Sequence, residues 1–380
     1  MHDTLLRDLE AMVLCHGPSG NEAEIDRWLM ARWQDLGLEF QQDSAGNLIA
    51  RIEAADPNAS TVAITAHKDE IGMIVKRIDP NGRVQARKLG GSFPWVYGEG
   101  VVDLLGDRET VSGILSFGSH HVSHESPQQC FQNDQPLKWE NAWIETKQTT
   151  DDLRRAGIRP GTRGVVGRHR KRPFLLGSDH IASYALDNRA SLAILTLLAE
   201  HLKQPRYHVL LAATANEEVG AIGAQYFTFA QRPDVLIALE ICPRSPEYPI
   251  GREDVPVLLS QDGYGVYDDS LNGELAEAVT KVGIEVQYAV LAGFGSDGSI
   301  AMKNGHVPRA ACLAFPTDNT HGFEITHLGA LECCVLTLLS CKVPIDNKLY
   351  RIPKSSHRMV MALDILEAVI PELEKIKRSH

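Results

Sequence analysis

The stretch ATANEEVGAIGAQ (213–225) sets Glu217 beside Glu218, just after the apolar run 209–213 and before a glycine-punctuated turn. Two like charges at the end of a buried run need neutralising, because a buried carboxylate must be paired, protonated or matched by a cation. Comparable residues close other apolar runs. AHKDEIG offers His67 and Asp69, PDVLIALE ends on Glu240, PTDNTHGFE leads to His321, and Asp187 opens a helical stretch in YALDNRA.

Two histidines with three carboxylates can furnish ligand shells for two zinc-like ions, one carboxylate bridging them and one position left open for water. Zinc is the expected metal, with cobalt or manganese as alternatives on the same donors. In this arrangement Glu218 ligates one ion, while Glu217 projects differently from the turn, takes a proton from the attacking water and later passes it to the leaving amine. Asp69, two residues beyond His67 on a strand, is placed to accept a hydrogen bond from the other ring nitrogen. Taken singly each piece is weak: a paired Glu reads as a solvated face, and Asp187 as a helix N-cap. What joins them is that every one falls at the same predicted end of a strand or helix.

The elements that must hold these groups are short apolar runs at 60–67, 207–218, 233–240 and 306–316, none with clean polar alternation. Strands covered on both faces read this way. Helical stretches at 188–202 and 270–283 lie between them. The alternation predicts an α/β fold with a doubly wound mixed sheet flanked by helices, and ligands then bind beyond the carboxyl ends of the strands. Residues 74–164 differ, with turn residues between short alternating runs and little helical periodicity. We therefore expect a catalytic domain built from 1–73 and 165–380, with 74–164 as an inserted β-rich domain.

The chain of 380 residues is long enough for one large or two ordinary domains, and its 38 basic against 49 acidic residues argue against a nucleic-acid partner. The first residues space Leu5, Leu6, Leu9, Met12 and Val13 as an amphipathic helix rather than an export signal. No apolar run reaches the roughly 20 residues of a membrane span. A cytoplasmic protein is expected. The seven cysteines include no CxxC pair and read as reduced core residues.

In order along the chain, GPSGNE (17–22), AHKDEIG (66–72), GIRPGTRGV (157–165), ALDNRAS (185–191), NEEVGAIGA (216–224), GSDG (295–298) and THGFE (320–324) resemble the landmarks of the M42 family of co-catalytic metallo-aminopeptidases. The resemblance covers nearly the whole chain. It implies that His67, bridging Asp187 and Glu240 hold one metal, that Asp187, Glu218 and His321 hold the other, that Glu217 is the general base, and that Asp69 orients His67. It further implies a barrel-like insert used in dimerisation, and a homo-oligomer built from dimers up to a hollow dodecamer. Family aminopeptidases usually carry Asp where this chain has Glu240, and clan members with Glu there are often carboxypeptidases or deacylases. A narrower similarity is to M42-like hydrolases associated with the osmolyte N-acetylglutaminylglutamine amide.

Other groups compete for these roles. His120, His121 and His124 cluster in the polar stretch 118–136 of the insert, away from the strand-end rim. His327 competes with His321 but stands at the start of a predicted helix, where a capping or packing role is expected. GFGSDGS (293–299) lacks the lysine of a P-loop, so a tight loop lining the substrate pocket is expected, with Asp297 as a candidate substrate contact or a turn residue. Ser178, Ser183 and Ser191 have no nucleophile-elbow context. The expected function is a two-metal exopeptidase acting on short peptides. The alternatives are an N-acyl-dipeptide or peptide-amide hydrolase with the same site, and a non-catalytic assembly or binding protein.

Overall fold

The computed structural model describes residues 1–126, 129, 136–248, 250–281 and 283–340. Parts of the loop at 118–136, with Cys130, and everything from Cys341 onward lie outside the described residues. No helix among the described residues is long and apolar enough to cross a membrane.

The strands are β1 (Phe40–Gln42), β2 (Leu48–Ile52), β3 (Thr61–His67), β4 (Gly72–Ile78), β5 (Val84–Leu89), β6 (Gly100–Leu105), β7 (Thr110–Ser116), β8 (Trp143–Glu145) and β9 (Arg163–Val166). Beyond them come β10 (Phe174–Leu176), β11 (His180–Ser183), β12 (His208–Thr214), β13 (Val235–Pro243), β14 (Val257–Gln261), β15 (Gln287–Val290), β16 (Ala310–Asp318) and β17 (Glu324–His327). The main sheet runs β1-β2-β12-β3-β13-β16-β17-β11-β10, with β14 and β15 attached beside β16. Its middle four strands, β12, β3, β13 and β16, are parallel, and antiparallel strands extend it on both sides. The expected mixed, doubly wound sheet is what forms.

The reason is visible in the side chains. Along β12, Val209, Leu211 and Ala213 join one core, while Leu210 and Ala212 join another. Ile237, Leu239 and Ile241 against Leu236 and Ala238 divide β13 the same way. Successive strand residues point to opposite faces, so a strand apolar at every position must be covered twice. Leu5, Leu9 and Met12 of the helix His2–Leu14 pack into the first core with the helices Leu186–His201 and Leu328–Ser340, and Phe227 and Ala301 close the second. Each such Leu or Phe withdrawn from water contributes roughly 1.5–3 kcal/mol.

Strands β4-β5-β8-β7-β6-β9 close into a barrel filled by Met73, Val75, Val84, Val102, Leu104, Leu115 and Ile144. The closed barrel runs from Gly72 to Val166, slightly wider than the expected 74–164, because β9 must pair with both β4 and β6 to seal it. Asp103 on β6 stitches the barrel to the main body: it accepts from His16 Nε2 at 3.1 Å and from the Arg168 amide at 2.9 Å.

Element ends differ from the sequence reading in ways that bear on the site. β12 stops at Thr214, so Glu217 and Glu218 sit in the turn after it rather than on the strand. β13 continues to Pro243, which places Glu240 inside a strand instead of at its end. β3 ends at His67 itself, leaving Asp69 beyond it.

Candidate active site

Parallel register brings the donors to one rim. Thr214 of β12 lies opposite His67 of β3, and Ala238 of β13 opposite Thr65, so Glu240, two residues on, falls level with His67. The Lys68 amide closes the ladder on the Thr214 carbonyl at 2.9 Å, after which both chains turn outward. Asp187 enters from the first turn of the helix Leu186–His201, where its peptide bond to Asn188 is cis. His321 enters from the loop between β16 and β17.

Two donor triads result, and they share Asp187. His67 Nε2 lies 3.0 Å from Asp187 Oδ1 and 3.6 Å from Glu240 Oε1. His321 Nε2 lies 3.4 Å from Asp187 Oδ2 and 3.6 Å from Glu218 Oε1. Within each triad the candidate ligand atoms lie inside 4.8 Å of one another. Glu217 Oε2 stands 3.9 Å from His67 Nε2, beside the first triad.

The electrostatics test whether cations fit. Burial pushes Glu217 and Glu240 well above the usual carboxylate range and Glu218 up to about 7, with neighbouring carboxylates adding to each rise. Burial would lower the histidines, yet the surrounding carboxylates overcome it and raise His67 well above its usual value and His321 to about 10. A protein-only site thus has to hold protons to tolerate its own charge. Two divalent cations would replace those protons, and imidazole with carboxylate is the donor chemistry that zinc-like ions take.

A shell of further groups aims the donors. Asp69, fully buried, accepts from Ser19 Oγ at 2.6 Å, the Glu217 amide at 2.9 Å and the Glu218 amide at 3.2 Å. It therefore fixes the turn carrying both glutamates. It also faces the imidazole: His67 Nδ1 lies 3.1 Å from the Asp69 carbonyl oxygen and 3.5 Å from its carboxylate, and this contact helps to lower the Asp69 carboxyl. Glu324 accepts the Asp187 amide and the His321 amide, each at 2.9 Å. It ties together two candidate ligands 134 residues apart in sequence, the difference between 321 and 187. His321 itself sits at a φ of +63°, a left-handed conformation that this bond holds in place. Gly91 comes so close to His321 that a Cβ there would lie 2.6 Å from the ring.

Ser19, Glu324 and Gly91 were not singled out from the sequence. Ser19 and Glu324 stand inside GPSGNE and THGFE, so the motifs contained the signal; a glycine demanded by one ring's approach left none.

Asp297 opens the helix Asp297–Lys303. Its carboxylate is buried, accepts from Thr214 Oγ1 at 2.7 Å and does not line the cleft. The first residue of a helix can turn inward as well as outward, and here it turns toward β12. The loop before it behaves as expected: Gly293, Phe294 and Gly295 form a cleft wall. His120, His121 and His124 are exposed, with His120 3.2 Å from Glu99. His327 ends β17 and accepts the Gly329 amide at 2.9 Å on Nδ1, which caps the last described helix; it lies near Asp179 and His180, away from the cleft. Among the described cysteines Cys15, Cys242, Cys312, Cys333 and Cys334 are free and buried, and burial raises Cys242 to about 12.

A cleft floored by shared carboxylates and imidazoles, at the carboxyl rim of a parallel sheet beside an inserted barrel, defines an exopeptidase-type hydrolase architecture. The chain belongs to the M42 glutamyl aminopeptidase family, whose model matches residues 46–336. It is accordingly a peptide-bond hydrolase of the aminopeptidase class, and the non-catalytic alternative falls away. SgcX of Escherichia coli (strain K12), a putative aminopeptidase, is 26% identical over 340 residues, covering 84% of this chain and 88% of its own. The glutamyl aminopeptidase of Lactococcus lactis is 25% identical, covering 80% of this chain and 86% of its own. The fold matches the solved TET1 peptidase of Pyrococcus horikoshii with a TM-score of 0.80 at 23% identity, over 90% of this chain and 100% of that one.

Proposed function

We propose that the chain removes residues from the amino ends of short peptides at a centre of two divalent ions, one held by His67, Asp187 and Glu240 and the other by Asp187, Glu218 and His321. The observation that carries this reading is the sharing of Asp187, one oxygen facing each histidine at 3.0 and 3.4 Å. When bound, the ions would polarise the scissile carbonyl and acidify the attacking water. Glu217, buried and with its proton affinity raised, is the residue that takes the proton from that water and hands it to the departing amine nitrogen. Asp69 holds the Glu217 backbone while this happens. Zinc suits the donors, with cobalt and manganese as alternatives.

Glu217→Gln keeps the shape of the side chain and removes its basicity. Turnover should fall by about 10²–10⁴-fold with metal content and fold unchanged. A loss smaller than about tenfold would remove Glu217 from this role.

A second reading, hydrolysis of an N-acylated dipeptide amide, is favoured by Glu240, whose buried carboxylate replaces the shorter one expected for a strict aminopeptidase. Comparing a free-amine aminoacyl anilide with an N-acetylated dipeptide amide on the zinc- or cobalt-loaded protein separates the two. Self-association is part of the proposal. TET1 of Pyrococcus horikoshii assembles into a tetrahedron or a large octahedral shell, and Ile222, Tyr226 and Phe229 here leave an apolar stripe exposed on one helix. A cytoplasmic setting suits the buried free thiols.

A further inference from the structure

The aminopeptidase reading does not say which side chain the cleft accepts. The cleft is about 420 Å³ in volume, with Asp187, Glu217, Glu218 and Glu240 on its floor and Gly263, Tyr264 and residues 292–295 on one wall. Among the described lining residues there is no lysine or arginine. Two divalent cations would match the four floor carboxylates charge for charge. No surplus positive charge would remain for an acidic side chain.

Most of the wall's backbone amides are turned to partners within the protein. The Tyr248 hydroxyl oxygen accepts the amides of Ala292 at 3.2 Å and Gly293 at 3.3 Å. Asp262 accepts those of Tyr264 at 2.8 Å and Gly265 at 3.2 Å, and the Gly263 amide donates to the Phe294 carbonyl at 2.8 Å. Four amides of the wall, those of Gly263, Tyr264, Ala292 and Gly293, are thus already engaged. What the wall presents instead is aromatic surface. Tyr264 lies so tightly on the loop that a Cβ on Gly295 would stand 2.2 Å from its ring, which fixes the ring while leaving the residue 39% exposed. Lys303, whose Nζ is 5.3 Å from that ring's centroid, does not itself line the cleft.

We propose that Tyr264, braced by Gly295, is the selectivity-determining side chain: it seats an uncharged aromatic or aliphatic side chain next to the scissile bond, and the cleft refuses acidic ones. This rests on the aminopeptidase reading above. An acidic side chain would exchange water for a site with no partner, whereas an apolar one gains area against the ring.

The test is kcat/KM for leucyl, phenylalanyl, lysyl and glutamyl p-nitroanilides with the metal-loaded full chain. Leucyl or phenylalanyl substrate should exceed glutamyl by about 100-fold or more, since an unpaired buried group discriminates strongly. Tyr264→Phe should keep that ratio. Tyr264→Ala should lower it by about tenfold, chiefly through KM for the apolar substrates. Glutamyl turnover within about threefold of leucyl, lysyl as the best substrate, or a folded Tyr264→Ala protein with unchanged ratios would each overturn the proposal while leaving the aminopeptidase reading intact. If no anilide is cleaved while the N-acetylated amide is, the aminopeptidase reading itself fails and takes this proposal with it.

Discussion

The Asp69 carboxylate accepts the backbone amide of Glu217 at 2.9 Å, so the group proposed to carry the proton is positioned through its main chain by a residue that never faces the cleft. Asp69→Ala should free the turn and lower kcat/KM by about 10–100-fold, the range typical of groups that orient metal-site residues. Zinc competition titration should show weakened binding as well. Ser19→Ala, which removes one of the three donors to Asp69, should have the smaller effect.

Gly91→Ala pits a methyl group against the His321 ring, 2.6 Å from its would-be Cβ. The ring must move away from Asp187 and Glu218. Metal analysis should then show about one ion lost per subunit with the His67 triad still loaded, and activity reduced by roughly 10²-fold. Unchanged stoichiometry would mean that His321 is not a ligand.

The pH response of metal-free protein is set by the signs of the shifts. Glu218 and Glu324 have folded values raised to about 7 and about 8, so the folded state binds more protons than the unfolded chain. Their favourable contribution is complete below the unfolded value, about 4.3, and is lost as pH rises through the folded ones. His67 and His321, also raised, act with the same sign. Chelated protein should therefore melt at progressively lower temperature between about pH 5 and 8, and zinc should flatten that slope. Equal slopes with and without chelator would contradict ligation by these groups.

Asp103 gives the opposite sign. Burial alone would raise it, but hydrogen bonds from His16, Ser112 and the Arg168 amide outweigh that and hold it below the usual carboxylate range. Its contribution is present above the unfolded value of about 3.9 and disappears as pH falls through the folded one. Asp103→Asn should cost about 2 kcal/mol near neutral pH, measured by urea unfolding, and progressively less in acid.

Much of this was legible because a parallel sheet writes its chemistry at strand ends. His67, Glu218, Glu240 and His321 could be picked out by inspecting the residues just beyond each apolar run, without knowing which strands are neighbours. The misreadings arose where a boundary or a rotation decides the outcome. With β3 ended at His67 and β12 at Thr214, Asp69 meets the turn of Glu217 and Glu218 as well as the imidazole, a contact that the strand reading alone does not give. The inward rotation of the helix Asp297–Lys303 at its first residue took Asp297 out of the cleft. Gly91 and Tyr264 belong to pieces of chain whose approach to the centre depends on loop paths, and loop paths carry no periodicity to read.

Because Glu324 clasps the amides of Asp187 and His321, the centre stays unfinished until β17 has docked beside β11, late in the order of synthesis. A chain that ended before this strand would lack the carboxylate that joins the shared aspartate to the second imidazole.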